Sequence, residues 1–505
     1  MDDELAWMSA TELRARIATG EVSPVEVTEA CLARIEALEP ELHAFITVAA
    51  DRALADARAA ADAVAAGRPL GPLHGVPVAL KDEAWTEGIA STGGSRLFQR
   101  FVPRRDGTVS ERLRAAGAVV VGKTNLPELA AWPRSKNPLV PESVNPWDPS
   151  RISGASSGGS AAAVATGMVP LAIGSDGGGS IRIPSALCGT VGLYPTPGRV
   201  PSYGSFSYSP AGSLGPMART VEDLALAFGV LAGPDPRDAA ALREAPPDVW
   251  GALGWGVHGL RVAWSPDFGR IPVEPGVRAA AEAGVARLAQ LGAAVDVLDE
   301  RIEHPWGDAE AMAAFQAAVA AWPSEASTGA AGAGPEPPAL EAEEGWMWEV
   351  FAHEVPFTAT ERFRDLARRH KELLSPHWQL SLEAQDRFGP EEATVRRLAD
   401  LSAQLHRLLD RYDVLCSPTM AVVAPPAPDG WATPYPDAYM GTNFTFVANA
   451  VGCPAASVPC GLADGLPVGL QVIGRLGDEP TVLQVCHAFQ VTGPQLPRPP
   501  LAAST

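Results

Sequence analysis

Gly154-Ala155-Ser156-Ser157-Gly158-Gly159-Ser160-Ala161-Ala162-Ala163-Val164 and Gly174-Ser175-Asp176-Gly177-Gly178-Gly179-Ser180-Ile181-Arg182 are two serine- and glycine-rich segments, and what lies between them decides the fold. Ser160 to Gly167 is alanine-rich and ends in glycine, which predicts a short helix with a glycine stop. Met168 to Ile173 is an apolar run long enough for a buried strand, which predicts Gly174 to Ser180 as a turn at its carboxyl end. Upstream, Gly75-Val76-Pro77-Val78-Ala79-Leu80-Lys81-Asp82 brings a lysine to the end of a second apolar strand, Val76 to Leu80. In open α/β sheets the crevice beyond the carboxyl ends of the strands is where ligands sit. Two serines in glycine turns and one lysine at a strand end can build an acyl-transfer site there without histidine.

This constellation resembles the amidase signature family, in which a Ser-Ser-Lys triad hydrolyses amides and related acyl compounds. Lys81 and Ser156 are 75 positions apart and Ser156 and Ser180 are 24 apart, in line with that family. The likeness continues through Asp106 to Leu113, Gly122 to Asn125, Gly189 to Thr196, Gly215 to Asp223, Tyr412 to Thr419 and Gly465 to Arg475. It covers residues 5–235 and 405–490. Tyr194 stands where the family usually has lysine, and Gly177 where it commonly has threonine. The resemblance implies that Ser180 is the nucleophile, and that Ser156, on a cis peptide, relays its proton to Lys81 and returns it to the leaving amine.

A competing pattern is embedded in the same stretch. Gly154-Ala155-Ser156-Ser157-Gly158 also matches the nucleophile elbow of α/β-hydrolases. An elbow needs a strand leading into it, whereas Asn145 to Arg151 carries two prolines and no apolar run and reads as loop. It also needs a downstream histidine, for which only His487 offers itself.

The chemistry constrains the lysine. A serine hydroxyl is a poor nucleophile until a base takes its proton, and lysine is a base only when neutral. With a reference pKa of about 10.4, an unshifted lysine is neutral roughly once in 2,500 at pH 7, a penalty of about 4.6 kcal/mol that burial must remove. Gly177, Gly178, Gly179 and Ser180 offer consecutive unobstructed N–H groups for an oxyanion hole, worth about 2.7 to 4 kcal/mol per donor. Asp176 and Arg182, of opposite charge, flank the turn as structural supports, and Ser157 is a supporting hydrogen-bond donor.

Composition narrows the class. An apolar content of 46% in 505 residues supports a large core, and the net charge of −20 argues against a phosphate-binding surface. Cys31, Cys188, Cys416, Cys453, Cys460 and Cys486 form no ligand pattern, so buried reduced thiols, no metal and no cofactor are expected. Met1-Asp2-Asp3-Glu4 lacks the features of a secretory signal, and no apolar run reaches the ~18 residues needed to span a bilayer, which predicts a soluble cytoplasmic protein.

Helix and strand signals alternate along the chain. They predict an α/β fold with a large mixed, mainly parallel β-sheet covered by helices on both faces. Ser9 with Glu12, Ser23 with Glu26, and Thr108 with Glu111 read as capped helix starts. Residues 1–70 are expected to form a helical preface on the core, 71–490 a single catalytic domain with a variable insertion around 300–400, and 491–505 a loosely ordered proline-rich tail. The insertion pairs a glycine-rich loop, Gly329 to Pro338, with Trp346, Met347, Trp348 and Phe351. With Trp132, Tyr203 and Phe206, Trp346 and Trp348 are the candidate substrate contacts under a lid. The expected function is a stand-alone amidase working through an acyl-serine on bulky or aryl amides, with carbamates as a side activity. Its partners would be a small-molecule amide with no nucleic acid and no membrane, and a homodimer is left open. The alternatives are the A subunit of a glutaminyl-tRNA amidotransferase and a non-catalytic binding protein on the same fold.

Overall fold

The computed structural model describes residues 3–206, 211–302, 365–379, 392–430, 432–435, 441–493 and 495–503. Strands β1 (Phe45–Val48), β2 (Pro77–Lys81), β3 (Val119–Thr124), β4 (Val144–Asn145), β5 (Asp148–Ile152), β6 (Leu171–Asp176), β7 (Val191–Tyr194), β8 (Ser213–Ala218), β9 (Arg261–Trp264), β10 (Ala294–Val297), β11 (Val414–Pro418), β12 (Ala455–Ala463) and β13 (Leu466–Gly474) are formed. Eleven of them make one mixed sheet in the order β1-β3-β2-β6-β8-β7-β12-β13-β11-β9-β10. β3, β2 and β6 run parallel, as do β11, β9 and β10; the strands between these blocks pair antiparallel.

The sheet is buried on both sides because successive side chains of each strand feed different layers. In β2, Val78 and Leu80 join the layer formed with helices Val221–Leu231, Pro275–Gln290 and Glu479–Thr492, while Ala79 joins the layer under helices Pro24–Leu42 and Ala50–Ala65. A third apolar layer gathers Ala263, Leu415, Ala455 and Ile473 with Leu401, Leu405, Leu408 and Val447. Each fully buried leucine or valine contributes about 1.5–3 kcal/mol.

Helix Gly158–Ala165 is buried at every position because it lies inside these layers. A Cβ on Gly159 would come within 2.4 Å of the Ala44 carbonyl oxygen and 2.5 Å of the Asn125 nitrogen, so the close approach requires glycine there.

Several local expectations change. β6 begins at Leu171 and runs through Asp176, so Gly174, Ser175 and Asp176 are strand residues paired with β8, and the turn is confined to 177–181. The Thr108 side chain does not cap its helix; its hydroxyl donates to Asp235, 127 positions away, a tertiary partner outcompeting a local one. The Ser23 capping box does form. Residues 144–152 form the two-stranded β4–β5 ladder apart from the main sheet, where Pro149 blocks no interior pairing. The tail is docked: Arg34 donates to the Ala502 carbonyl at 2.8 Å, the Leu501 N–H reaches Pro146, and the Arg498 guanidinium lies over Trp7. All six cysteines are buried and free. Among the described residues, no helix is long and apolar enough to cross a membrane.

Candidate active site

The parallel β2–β6 register sets Leu80 beside Ile173, so both strands run toward the same edge of the sheet. Lys81 Nζ donates to Ser156 Oγ at 2.7 Å and to Ser175 Oγ at 2.8 Å. The lysine is fully buried, and that burial lowers its pKa against the opposing pull of Glu83 and Asp176. Ser156 follows a cis peptide bond to Ala155 and is buried.

Ser157 ties this segment to both ends of the catalytic turn. Its hydroxyl donates to the Ser175 carbonyl, and its N–H donates to the Ser180 carbonyl at 3.1 Å, which brings Ser180 alongside Ser156. Ser180 is only partly buried, whereas Ser156, Ser157 and Ser175 are buried. Among the described residues no hydrogen bond joins the Ser156 and Ser180 hydroxyls.

Asp176 and Arg182 form a fully buried ion pair with two contacts, Nη2 to Oδ1 at 2.8 Å and Nε to Oδ2 at 2.9 Å. Burial alone would raise the Asp176 pKa, but Arg182, Asn449 and the Gly179 N–H hold it below the ordinary carboxylate value. Arg182 also donates to the Thr445 carbonyl, Gln471 and Asn449, and it lies over the ring of Tyr194 at 4.8 Å. Tyr194 thus acts as a platform for this arginine. Thr445, Asn449 and Gln471 could not be found from the motif, because they lie more than 260 positions from Arg182.

The glycine turn splits its donors. The Gly179 N–H is committed to Asp176 Oδ1 at 2.7 Å, whereas among the described residues the N–H groups of Gly177, Gly178 and Ser180 meet no protein acceptor. Gly179 has φ +124°, and a Cβ there would lie 2.2 Å from Thr445 Oγ1 and 2.6 Å from its Cβ. Gly179→Ala should therefore lower stability by about 1–3 kcal/mol and slow modification of Ser180 at least about tenfold, read by thermal melting and by intact-mass labelling. An unchanged labelling rate would show that the turn tolerates displacement.

Phe206 packs with Trp85, Phe98 and Phe101 in a buried cluster, and Tyr203 lies under the Arg237 guanidinium at 4.5 Å. Trp132 is buried and stacks on His377 at 5.0 Å, with its indole nitrogen lacking a hydrogen-bond acceptor among the described residues. Burial pushes His377 down to about 3, so it is neutral at physiological pH. Trp346, Met347, Trp348, Phe351 and the Gly329–Pro338 loop lie outside the described residues.

Three further residues escaped the motif reading. Ser135 donates to the Gly154 carbonyl and accepts from the Gly158 N–H, bracing the Ser156 segment. Glu128 accepts from Ser95 at 2.5 Å and from the Ser375 side chain and N–H, joining residues 365–379 to the loop after β3. Glu83 is buried 3.5 Å from Lys81 Nζ. His487 belongs elsewhere: its ring nitrogens meet the Leu253 carbonyl and Glu222, both at 2.8 Å.

A family model described as Amidase matches residues 26–483. The chain is 41% identical over 488 residues, 96% of its length and 97% of the other, to a protein of Chloroflexus aurantiacus named as the A subunit of glutamyl-tRNA(Gln) amidotransferase. It is similar to the crystal structure of a bacterial aryl acylamidase of the amidase signature enzymes, with 28% identity, TM-score 0.83 and 99% of each chain covered. It is also similar to the crystal structure of the corresponding glutamyl-tRNA(Gln) amidotransferase chain from Thermotoga maritima, with 29% identity, TM-score 0.69, and 98% and 96% of the two chains covered.

The amidotransferase relatives overturn the expected stand-alone amidase for aryl amides or carbamates, and with it the expectation of a small-molecule partner and no nucleic acid. The Chloroflexus relative, matched over nearly its full length, is named as one subunit of several and for a glutamyl-tRNA. The physical reason is twofold. A triad specifies the bond that is cleaved and not what receives the product, and a net charge summed over 505 residues does not describe the surface of an assembly.

Proposed function

Because the chain belongs to the amidase signature family and is an amidase-type enzyme that cleaves C–N bonds, we propose that it is the amide-cleaving subunit of an amidotransferase of the glutamyl-tRNA(Gln) kind. The observation that carries this reading is the 41% identity across 96% of this chain and 97% of the Chloroflexus protein. The amide donor in this reading is a carboxamide such as glutamine, and the ammonia set free is used by a companion protein.

The residues act in order. Ser180 Oγ attacks the carboxamide carbon while its proton passes to Ser156 and on to Lys81 in its neutral form, whose Nζ lies 2.7 Å from Ser156 Oγ. The last link of this relay closes when the Ser180 hydroxyl turns toward Ser156. The developing oxyanion is met by the uncommitted N–H groups of Gly177, Gly178 and Ser180, each donor contributing about 2.7–4 kcal/mol. Gly179 serves the turn instead, through Asp176. The tetrahedral adduct collapses, the proton returns from Lys81 through Ser156 to the nitrogen, and ammonia leaves an ester on Ser180 that water then hydrolyses.

Purified chain is assayed for ammonia release from glutamine, alone and with companion subunits and glutamyl-tRNA(Gln) from the same source. The expected result is at least about tenfold stimulation by the complete assembly, with Ser180→Ala abolishing it. Equal glutamine turnover with and without the companions overturns the subunit reading.

A further inference from the structure

Two residues beyond Lys81 lies an acid that the triad chemistry does not use. Glu83 is 1% exposed, its Oε1 is 3.5 Å from Lys81 Nζ, and that oxygen accepts no aligned hydrogen bond among the described residues. A buried carboxylate oxygen without a hydrogen bond is costly unless a charge compensates it, and among the described residues the cation in ion-pair range is the triad lysine itself. The main chain fixes the arrangement, because the Phe206 N–H donates to the Glu83 carbonyl at 3.1 Å.

We propose that Glu83 is a positioning residue whose carboxylate keeps the Lys81 nitrogen charged and held beside Ser156 and Ser175 at rest, so that the acid limb of activity belongs to the pair and not to the lysine alone. This rests on the reading of Lys81 as the base. The other charges around the pair have partners of their own, although Lys123 also feels Glu83 and Asp176 also pulls on Lys81. Asp176 on β6 is neutralised by Arg182, and Lys123 on β3 donates to the Ala84 carbonyl, Thr86 and Ser91. Asp82 accepts from the Thr92 side chain and N–H, and Asp106 pairs with Arg114 at 3.0 Å. Among the described residues Glu83 is the acid in ion-pair range of Lys81, so its charge is the one whose removal the lysine feels most.

The sign follows from the two opposing effects. Burial drives Lys81 toward the neutral base, and Glu83 opposes it. Removing the carboxylate leaves burial opposed by Asp176 alone, so the base forms at lower pH. An opposite charge at this range is worth about one to three pH units.

Full-length wild type, Glu83→Gln, Glu83→Asp and Lys81→Ala are incubated with phenylmethylsulfonyl fluoride between about pH 5 and pH 10, and the rate of intact-mass gain at Ser180 is recorded. This readout needs no amide substrate and no companion protein. In Glu83→Gln the midpoint of the acid limb is expected to fall by about one to three units, with labelling at least about tenfold faster below the wild-type midpoint. Glu83→Asp should fall between the two, and it decides the matter if the glutamine variant does not fold. If Lys81→Ala labels with the wild-type rate and profile, the base reading itself fails. If Lys81→Ala is inert while the Glu83 variants keep the wild-type midpoint, at whatever rate, the inference about Glu83 is overturned.

Discussion

Ser180→Ala should cut amide turnover by at least about four orders of magnitude, and Lys81→Ala and Ser156→Ala should each cut it by about two to four, with all three proteins folded. The expectation follows from the hydrogen bonds: Lys81 reaches Ser156 at 2.7 Å, and Ser157 binds the Ser180 carbonyl from the adjacent backbone. The losses should not add, because the three groups move one proton as a unit. His487→Ala should leave turnover unchanged, since that ring is spent on Leu253 and Glu222. Turnover by each variant, together with peptide mapping of a sulfonyl label, checks the set. A label on Ser156 with Ser180 untouched would return the nucleophile to the first glycine turn.

The second large effect is on stability. Arg182→Ala leaves the Asp176 carboxylate buried without its cation and strips contacts from Thr445, Asn449 and Gln471. Breaking a buried pair by removing one partner costs about 3–5 kcal/mol, read as a lower urea midpoint at unchanged slope. Arg16→Ala, which breaks an exposed pair with Glu12, should cost under about 1 kcal/mol. The pH sign follows from Asp176, whose folded pKa is depressed. Its stabilisation is present above the ordinary carboxylate range and is lost as pH falls through the depressed value, a dependence that Arg182→Ala should flatten. A midpoint shift equal to that of Arg16→Ala would show that the buried pair contributes nothing.

Much of this was legible because local pattern and tertiary structure agree. The strand ending on Lys81, the alanine-rich helix and the apolar strand before the glycine turn are all formed where periodicity and glycine stops put them, with shifts of a few residues. What escaped depends on distance along the chain. No pattern near Thr108 shows that Asp235 will take its hydroxyl, and nothing near Arg182 points to Gln471. Glu83 was hidden for another reason: its meeting with Lys81 is set by the bend after β2, which neither a period of two nor one of 3.6 describes. In the proposed reading the destination of the nitrogen lies beyond the motif, since the same three side chains would serve whichever acceptor stands beyond them.

The Arg182 hub also bears on when the protein becomes competent during synthesis. Its partners Thr445, Asn449 and Gln471 are 263, 267 and 289 positions downstream. At about 5–20 residues per second, the ribosome delivers them tens of seconds or less after the nucleophile has left the tunnel. Throughout that interval the nascent chain carries Lys81, Ser156 and Ser180 but not the anchors of the glycine turn, which arrive only with the second half of the sheet.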